Sequence, residues 1–200
     1  MRFVGQTGPS WSSDIAIDDL SVTAGSGGGG PSCPALNFND YSINSFATQD
    51  ANGSNSVGSG GASLTLTNNT WKYIPLNYTV TANTVIEFEF SSTSQGEIHG
   101  IAFENDNTLT GSRVFKVHGT QNYGITNYDN YTSGTVTYTI PVGSSYTGNM
   151  DRLVFINDND AGSGNNSTFS NVKIYEGTCG ATNSLNTIFA FGEISGSFIA

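Results

Sequence analysis

Residues Thr84-Val85-Ile86-Glu87-Phe88-Glu89-Phe90-Ser91 alternate apolar and polar almost at every step, and this period of two narrows the fold most. Side chains on a strand point to opposite faces in turn, so the segment reads as a strand with one buried face. Strand-like stretches also occupy 62–67, 72–80, 97–104, 113–119, 135–140, 152–157 and 168–176. Loops rich in Gly, Asn, Ser and Thr separate them, the residues that tight turns require. No run of Ala, Leu, Glu and Lys suggests a helical bundle. Eight strands without a helix predict an all-β fold, an antiparallel β-sandwich of jelly-roll type, which covers the edges of many strands.

Charge then limits the partners. Only 11% of residues are charged and the formal net charge is −10. Nucleic acid binding needs clustered cations, and six Lys and Arg scattered through 200 residues do not provide them. Anionic membrane surfaces and acidic polysaccharides are disfavoured on the same ground, unless a cation bridges the latter. Neutral sugars and divalent cations remain. The aromatic share of 12% excludes disorder for most of the chain. No apolar run is long enough to span a bilayer. No apolar stretch follows Met1-Arg2-Phe3-Val4, so the start reads as the interior of a longer protein rather than a signal peptide.

Three boundaries divide the chain. Residues 1–24 carry a single alternating stretch, Asp14-Ile15-Ala16-Ile17-Asp18-Asp19-Leu20-Ser21-Val22, and one strand cannot bury its own apolar face. Residues 25–31 are a Gly/Ser linker with no side chains to pack. Residues 32–180 form the module, and 181–200 form a tail or the start of a further segment. Cys33 and Cys179 bracket the module. That placement favours a disulfide tying its ends, hence an oxidising, extracellular setting for a secreted protein. Two unrelated buried thiols are the alternative.

Strand parity predicts where chemistry sits. If the strands pair, one exposed face carries Glu87, Glu89, Glu97, His99, Lys116 and His118. The loop from Gly119 to Tyr131 adds Gln121 and three tyrosines, Tyr123, Tyr128 and Tyr131, among amides. Trp71 opens a strand at a rim position. Sugar rings stack on aromatic faces while their hydroxyls seek amides and carboxylates, so Trp71, Glu97, His99, Gln121, Tyr123, Tyr128 and Tyr131 are the expected carbohydrate-binding residues. Two acidic loops follow apolar strands: Glu104-Asn105-Asp106-Asn107 and Asn157-Asp158-Asn159-Asp160. Calcium prefers such oxygen donors, so Glu104, Asp106, Asn157, Asp158 and Asp160 are its expected ligands. The second loop is no EF-hand, lacking flanking helices and a Glu at the twelfth position. No zinc frame and no serine nucleophile elbow is present.

The stretch Gly8-Pro9-Ser10-Trp11 through Asp18-Asp19-Leu20-Ser21-Val22 resembles the closing strand of MAM-type domains, which implies that a larger secreted multidomain protein surrounds the module. The stretches Ser63–Leu76, Gly96–Asp106 and Phe155–Asp160 resemble non-catalytic carbohydrate-binding-type modules of secreted bacterial proteins. That resemblance implies polysaccharide binding, appended through linkers and often with bound calcium. A calcium-dependent adhesion or structural module is the second reading. A third comes from Glu97-Ile98-His99 and Phe115-Lys116 with Gln121-Asn122, which resemble motifs of jelly-roll alginate lyases. In that reading His99 is the base and Tyr123 or Tyr128 the acid.

Overall fold

The computed structural model describes residues 33–179. The segments 1–24, 25–31 and 181–200, with the MAM-like stretch and the linker, lie outside the described residues. Ten strands follow in order. The first five are β1 (Asn44–Ser45), β2 (Ser54–Val57), β3 (Ser63–Thr67), β4 (Thr70–Val80) and β5 (Thr84–Ser91). The rest are β6 (Ile98–Glu104), β7 (Phe115–His118), β8 (Thr135–Ile140), β9 (Gly148–Asp158) and β10 (Asn166–Glu176). They form two five-stranded antiparallel sheets: a front sheet in the order β1-β4-β9-β6-β7 and a back sheet in the order β2-β3-β10-β5-β8. The expected all-β sandwich of jelly-roll type is the fold.

The main core fills the space between the sheets. On β5, Ile86, Phe88 and Phe90 point inward while Glu87 and Glu89 point out, as the alternation requires. Leu64 and Leu66 of β3 and Phe169 of β10 join them from the back sheet. From the front sheet come Ile74, Ile101, Phe103, Leu153 and Phe155. Phe155 and Phe169 meet edge to face across the gap, with centroids 5.2 Å apart. Phe38, on a short 3-10 turn before β1, packs on Phe155 and plugs the core. Among the described residues, no helix is long and apolar enough to cross a membrane.

The two sheets differ in a way that matters for function. The back sheet has one face against the core and one facing solvent. In the front sheet, β6 is buried along its whole length and β9 from Leu153 to Asp158. Something must therefore cover the front sheet's outer face as well.

The edge of β7 is also occupied. Ile125 forms a parallel bridge to Phe115, its N–H donating to Val114 O (2.7 Å) and its carbonyl accepting from Lys116 N (3.0 Å). An edge strand covered in this way cannot recruit a foreign strand. Cys33 and Cys179 are bonded to each other, with Cα atoms 5.8 Å apart, just outside the first and last elements.

Candidate functional site

Residues of the front sheet that turn away from the core form a second apolar cluster. Trp71 of β4, Ile98 and Ala102 of β6, and Val154 and Ile156 of β9 alternate with the inward residues and share this outer face. Phe46 and Val114 close over them, with Tyr73, Leu109 and Tyr123 at the margin. Two loops supply the cover, and each is tied to the sheet. The loop after β1 is held by Phe46 N–H donating to Trp71 O (2.9 Å) and Trp71 N–H donating to Asp50 Oδ1 (3.2 Å). Lys72 pairs with the same Asp50. The loop after β6 is held by the buried Glu104, which accepts from Thr110 N and Arg113 Nη1, both at 2.8 Å. Burial pushes the Glu104 carboxyl upward in pKa, and these two donors oppose that shift.

Between the loops lies an open hollow of about 410 Å³, walled by Ala47, Thr48 and Gln49 on one side and Asn107, Thr108 and Leu109 on the other. Asn107 Oδ1 joins the walls, accepting from Ala47 N (3.0 Å) and from Arg152 Nη1 (3.1 Å). The Arg152 guanidinium lies 4.6 Å from the centre of the Tyr73 ring and is bidentate on Asp151. Two amides (Gln49 and Asn107) and two hydroxyls (Thr48 and Thr108) thus line one opening, and Arg152, lying over Tyr73, is bonded to its wall through Asn107. Such a mixture suits a polyhydroxylated ligand, whose C–H faces need apolar contact and whose hydroxyls need paired donors and acceptors.

The residues expected to bind sugar do not gather in one place. Trp71 is not at the rim: it is 1% exposed, stacks on Phe46, and donates from Nε1 to Asp158 Oδ1 (2.8 Å). The three tyrosines diverge. Tyr123 packs at the margin of the outer cluster, while Tyr128 packs edge to face on Phe115 against the main core. Tyr131 is buried, and its hydroxyl accepts from Ser92 N (2.9 Å) and lies within bonding distance of the Ser92 and Gly134 carbonyls. Tyr131→Phe is therefore expected to cost about 1–3 kcal/mol of stability by orphaning these groups, measurable by urea unfolding. Gln121 is exposed, with its backbone N–H on Glu97 O (2.9 Å).

The expected charged face is also corrected. Glu87 and Glu89 belong to the back sheet, where they bond Lys173 and Ser170. His99 belongs to the front sheet and points into the core, with no exposed surface, edge to face with Phe90. Its ring is fully engaged: Gly96 N–H donates to Nε2 (2.6 Å), and Nδ1 lies 2.7 Å from Ser167 Oγ. Ser167 Oγ donates onward to Asn157 Oδ1 (2.9 Å). This network assigns the neutral tautomer with the proton on Nδ1. Burial pulls the His99 pKa down to about 3, with the nearby His118 and Lys116 pulling the same way. A base so enclosed cannot reach a polyuronate, and the lyase role for His99 fails on access.

The two acidic loops part company. In the first, Glu104 is taken by Arg113 and Thr110, while Asp106 Oδ1 accepts from Thr108 N (2.7 Å). In the second, Asn157 is buried with both amide atoms bonded, its Nδ2 donating to Asn68 O (2.6 Å). Neither Glu104 nor Asn157 has a free oxygen facing a common point. Asp158 and Asp160 instead converge with Glu97, one carboxylate oxygen from each lying within 4.8 Å of the other two. Burial raises the Asp158 pKa, the Trp71 hydrogen bond lowers it, and Asp160 and Glu97 raise it further. Nothing in the sequence marks Glu97 as their partner. Loop 47–49 has no periodic pattern to mark it, and Asn107, which belongs to the acidic loop read as a calcium site, lines the hollow instead.

No family model matches the chain, and no curated protein does. Among solved structures it is similar to a family 30 carbohydrate-binding module at 14% identity, covering 66% of this chain and 95% of that one with a TM-score of 0.35. It is similar to a family 11 carbohydrate-binding module of a cellulosomal cellulase of Clostridium thermocellum (14% identity, 68% and 87%, TM-score 0.36). It is also similar to a family 29 carbohydrate-binding module solved with mannohexaose (14% identity, 70% and 94%, TM-score 0.35). Scores of this size leave function to be argued from the site.

Proposed function

We propose that residues 33–179 are a non-catalytic module that binds a neutral polysaccharide on the outer face of the front sheet. The observation that carries this reading is the hollow between loops 47–49 and 107–109, whose wall residue Asn107 is bonded by Arg152, itself laid over Tyr73. Neutral sugar fits better than an acidic one because each cation in the described residues is already paired: Lys72, Arg113, Lys116, Arg152 and Lys173 all hold carboxylates. The sugar-binding role moves from the tyrosine loop and Trp71 to Tyr73, Gln49, Asn107 and Arg152. Tyr123 stays nearby, at the margin of the same cluster. Calcium belongs to this reading as a structural ion. The Cys33–Cys179 bond supports an extracellular, oxidising setting, and attachment to further domains of a longer secreted protein completes it.

Affinity electrophoresis against a panel of plant and algal polysaccharides tests the reading. The module is expected to be retarded by at least one neutral polysaccharide without releasing product. Gln49→Ala and Arg152→Ala should each weaken that binding by about 1–3 kcal/mol, as contacts at the centre of an interface do. Tyr128→Ala, in a ring that packs on the core, should leave it unchanged in protein that remains folded. Equal retardation of the Gln49 and Arg152 variants and the parent would move the site elsewhere. Release of unsaturated product absorbing in the ultraviolet would restore the lyase.

A further inference from the structure

The acidic cluster at the other end of the front sheet joins two chain segments, the residue before β6 and the end of β9 with the loop after it. Glu97 precedes β6, Asp158 ends β9, and Asp160 lies in the loop leading to β10. Asp160 N–H donates to Glu97 Oε2 (2.6 Å), so the loop folds back on the glutamate. Like charges this close repel, and burial of Asp158 to 5% exposure sharpens the repulsion. No cation within the described residues offsets it, because every Lys and Arg there pairs with a different carboxylate.

A second, independent observation points to what does. Asn69 is 6% exposed, and its Oδ1 is the one buried side-chain N or O among the described residues with no hydrogen-bond partner. The other end of the same amide, Nδ2, donates to Asp160 Oδ1 (2.7 Å), so the orphaned oxygen belongs to a side chain in direct contact with the cluster. A buried acceptor without a partner is costly and calls for a donor or an ion.

We infer that Glu97, Asp158, Asp160 and Asn69 Oδ1 bind one hard divalent cation, of which calcium is the natural choice. The donor set is all oxygen, three carboxylates and an amide, with neither imidazole nor thiolate to favour zinc or copper. Glu97 thereby changes role from sugar contact to metal ligand, and Asn69 joins the set. The inference rests on the reading of calcium as a structural ion and not on polysaccharide binding.

Position gives the ion a purpose. Asn69 sits in the turn joining β3 of the back sheet to β4 of the front sheet, so the site spans both sheets at one end of the sandwich. It lies near the Asn166 end of β10, while the disulfide follows the Glu176 end. The cation and the disulfide therefore fasten opposite ends of the module. The cluster is at the Ile98 end of β6 and the hollow at the Glu104 end, about 20 Å apart by the rise of a strand.

Terbium titration of the intact chain tests the site, because Trp71 donates its indole N–H to Asp158 and is placed to sensitise the ion's emission. Tryptophan-excited terbium emission is expected to saturate at one ion per chain and to be quenched by excess calcium. Calcium should raise the melting temperature by several degrees and chelator should reverse the rise. Asp160→Asn and Glu97→Gln, at the exposed side of the cluster, should weaken terbium binding at least tenfold with the circular dichroism spectrum retained. Absence of sensitised emission together with a melting temperature indifferent to calcium and chelator would overturn the inference. So would variants that bind terbium as tightly as the parent. Polysaccharide retardation measured on the same variants separates the two readings: a metal site without sugar binding sinks only the latter, and the reverse sinks only the former.

Discussion

Converting Cys33 and Cys179 to serine is expected to lower the free energy of unfolding by about 5 kcal/mol, the largest single loss foreseen for this module. The bonded residues are 146 apart in sequence. In the chain-entropy treatment, a cross-link closing a loop of that length removes about 5 kcal/mol of conformational freedom from the unfolded ensemble. The native side of the balance changes little. Leu36 N–H already donates to Val172 O (2.7 Å), so the segment leading from Cys33 is docked on β10 by its own hydrogen bond. All ten strands lie inside the cross-linked loop. The effect is therefore carried by the unfolded chain, and the serine variant should retain the far-ultraviolet spectrum of the parent. Urea unfolding of the double serine variant beside the oxidised parent reads the difference directly. A loss below about 1 kcal/mol would mean that the unfolded chain is compact enough to make the cross-link redundant.

How far the fold was legible depended on how many faces of a strand meet water. On the back sheet, β5 and β8 begin and end where alternation places them, at Thr84–Ser91 and Thr135–Ile140. Their polar residues face solvent and mark the parity. The two missed strands, β1 and β2, are short edge segments of mostly exposed polar residues, Asn44–Ser45 and Ser54–Val57. Their pairing comes from neighbours rather than from any apolar pattern of their own. On the front sheet, parity misled because both faces are buried. The run Leu153-Val154-Phe155-Ile156 carries no polar marker, and a polar residue such as His99 on its neighbour cannot be assigned to solvent. That same continuous run was the available signal for a covered outer face.

The candidate sites were legible only in fragments, because each is assembled across long sequence distances. Asn107 meets Ala47 from 60 residues away, and both belong to loops whose composition is that of any turn. Asp158 and Asp160 stood out as an acidic loop, whereas Glu97 joins them through Asp160 N–H across 63 residues. Trp71 follows the polar turn Asn68-Asn69-Thr70 and opens a strand, a rim position by sequence, yet the two covering loops close over it. Local sequence fixes a residue's chemistry; the crossing of loops decides which residues share an opening.

Acid is expected to destabilise the module from about pH 6.5 downward, and His99 is the cause. Its folded-state pKa is held near 3, first by burial and then by His118 and Lys116. Geometry agrees, since a proton added to Nε2 would face the Gly96 N–H that now donates to it. The unfolded imidazole titrates near its ordinary 6.5. The unfolded state thus binds a proton that the folded state refuses, so the stability His99 contributes is complete above about pH 6.5. It is lost as pH falls from there toward 3. By pH 4 the loss amounts to about 3 kcal/mol, at 1.36 kcal/mol for each unit between the two values. His118, also pulled down by burial, adds in the same direction. Glu87, Asp151 and Glu176, whose pKa values are lowered, lose their contributions only in the more acidic carboxylate range. Glu104 and Asp158, whose buried carboxyls are raised, take up protons while folded and oppose the histidine slope. The share of His99 is therefore read as a difference: urea unfolding between pH 7 and pH 4 for the parent and for His99→Gln, whose amide can still accept from Gly96 N–H. The parent should lose more stability than the variant over this range, and its His99 ring should remain in the neutral Nδ1–H form at pH 4 by nitrogen-detected NMR. A His99 ring that titrates near 6.5 in the folded protein would show that the core admits the charge and that this source of acid lability is absent.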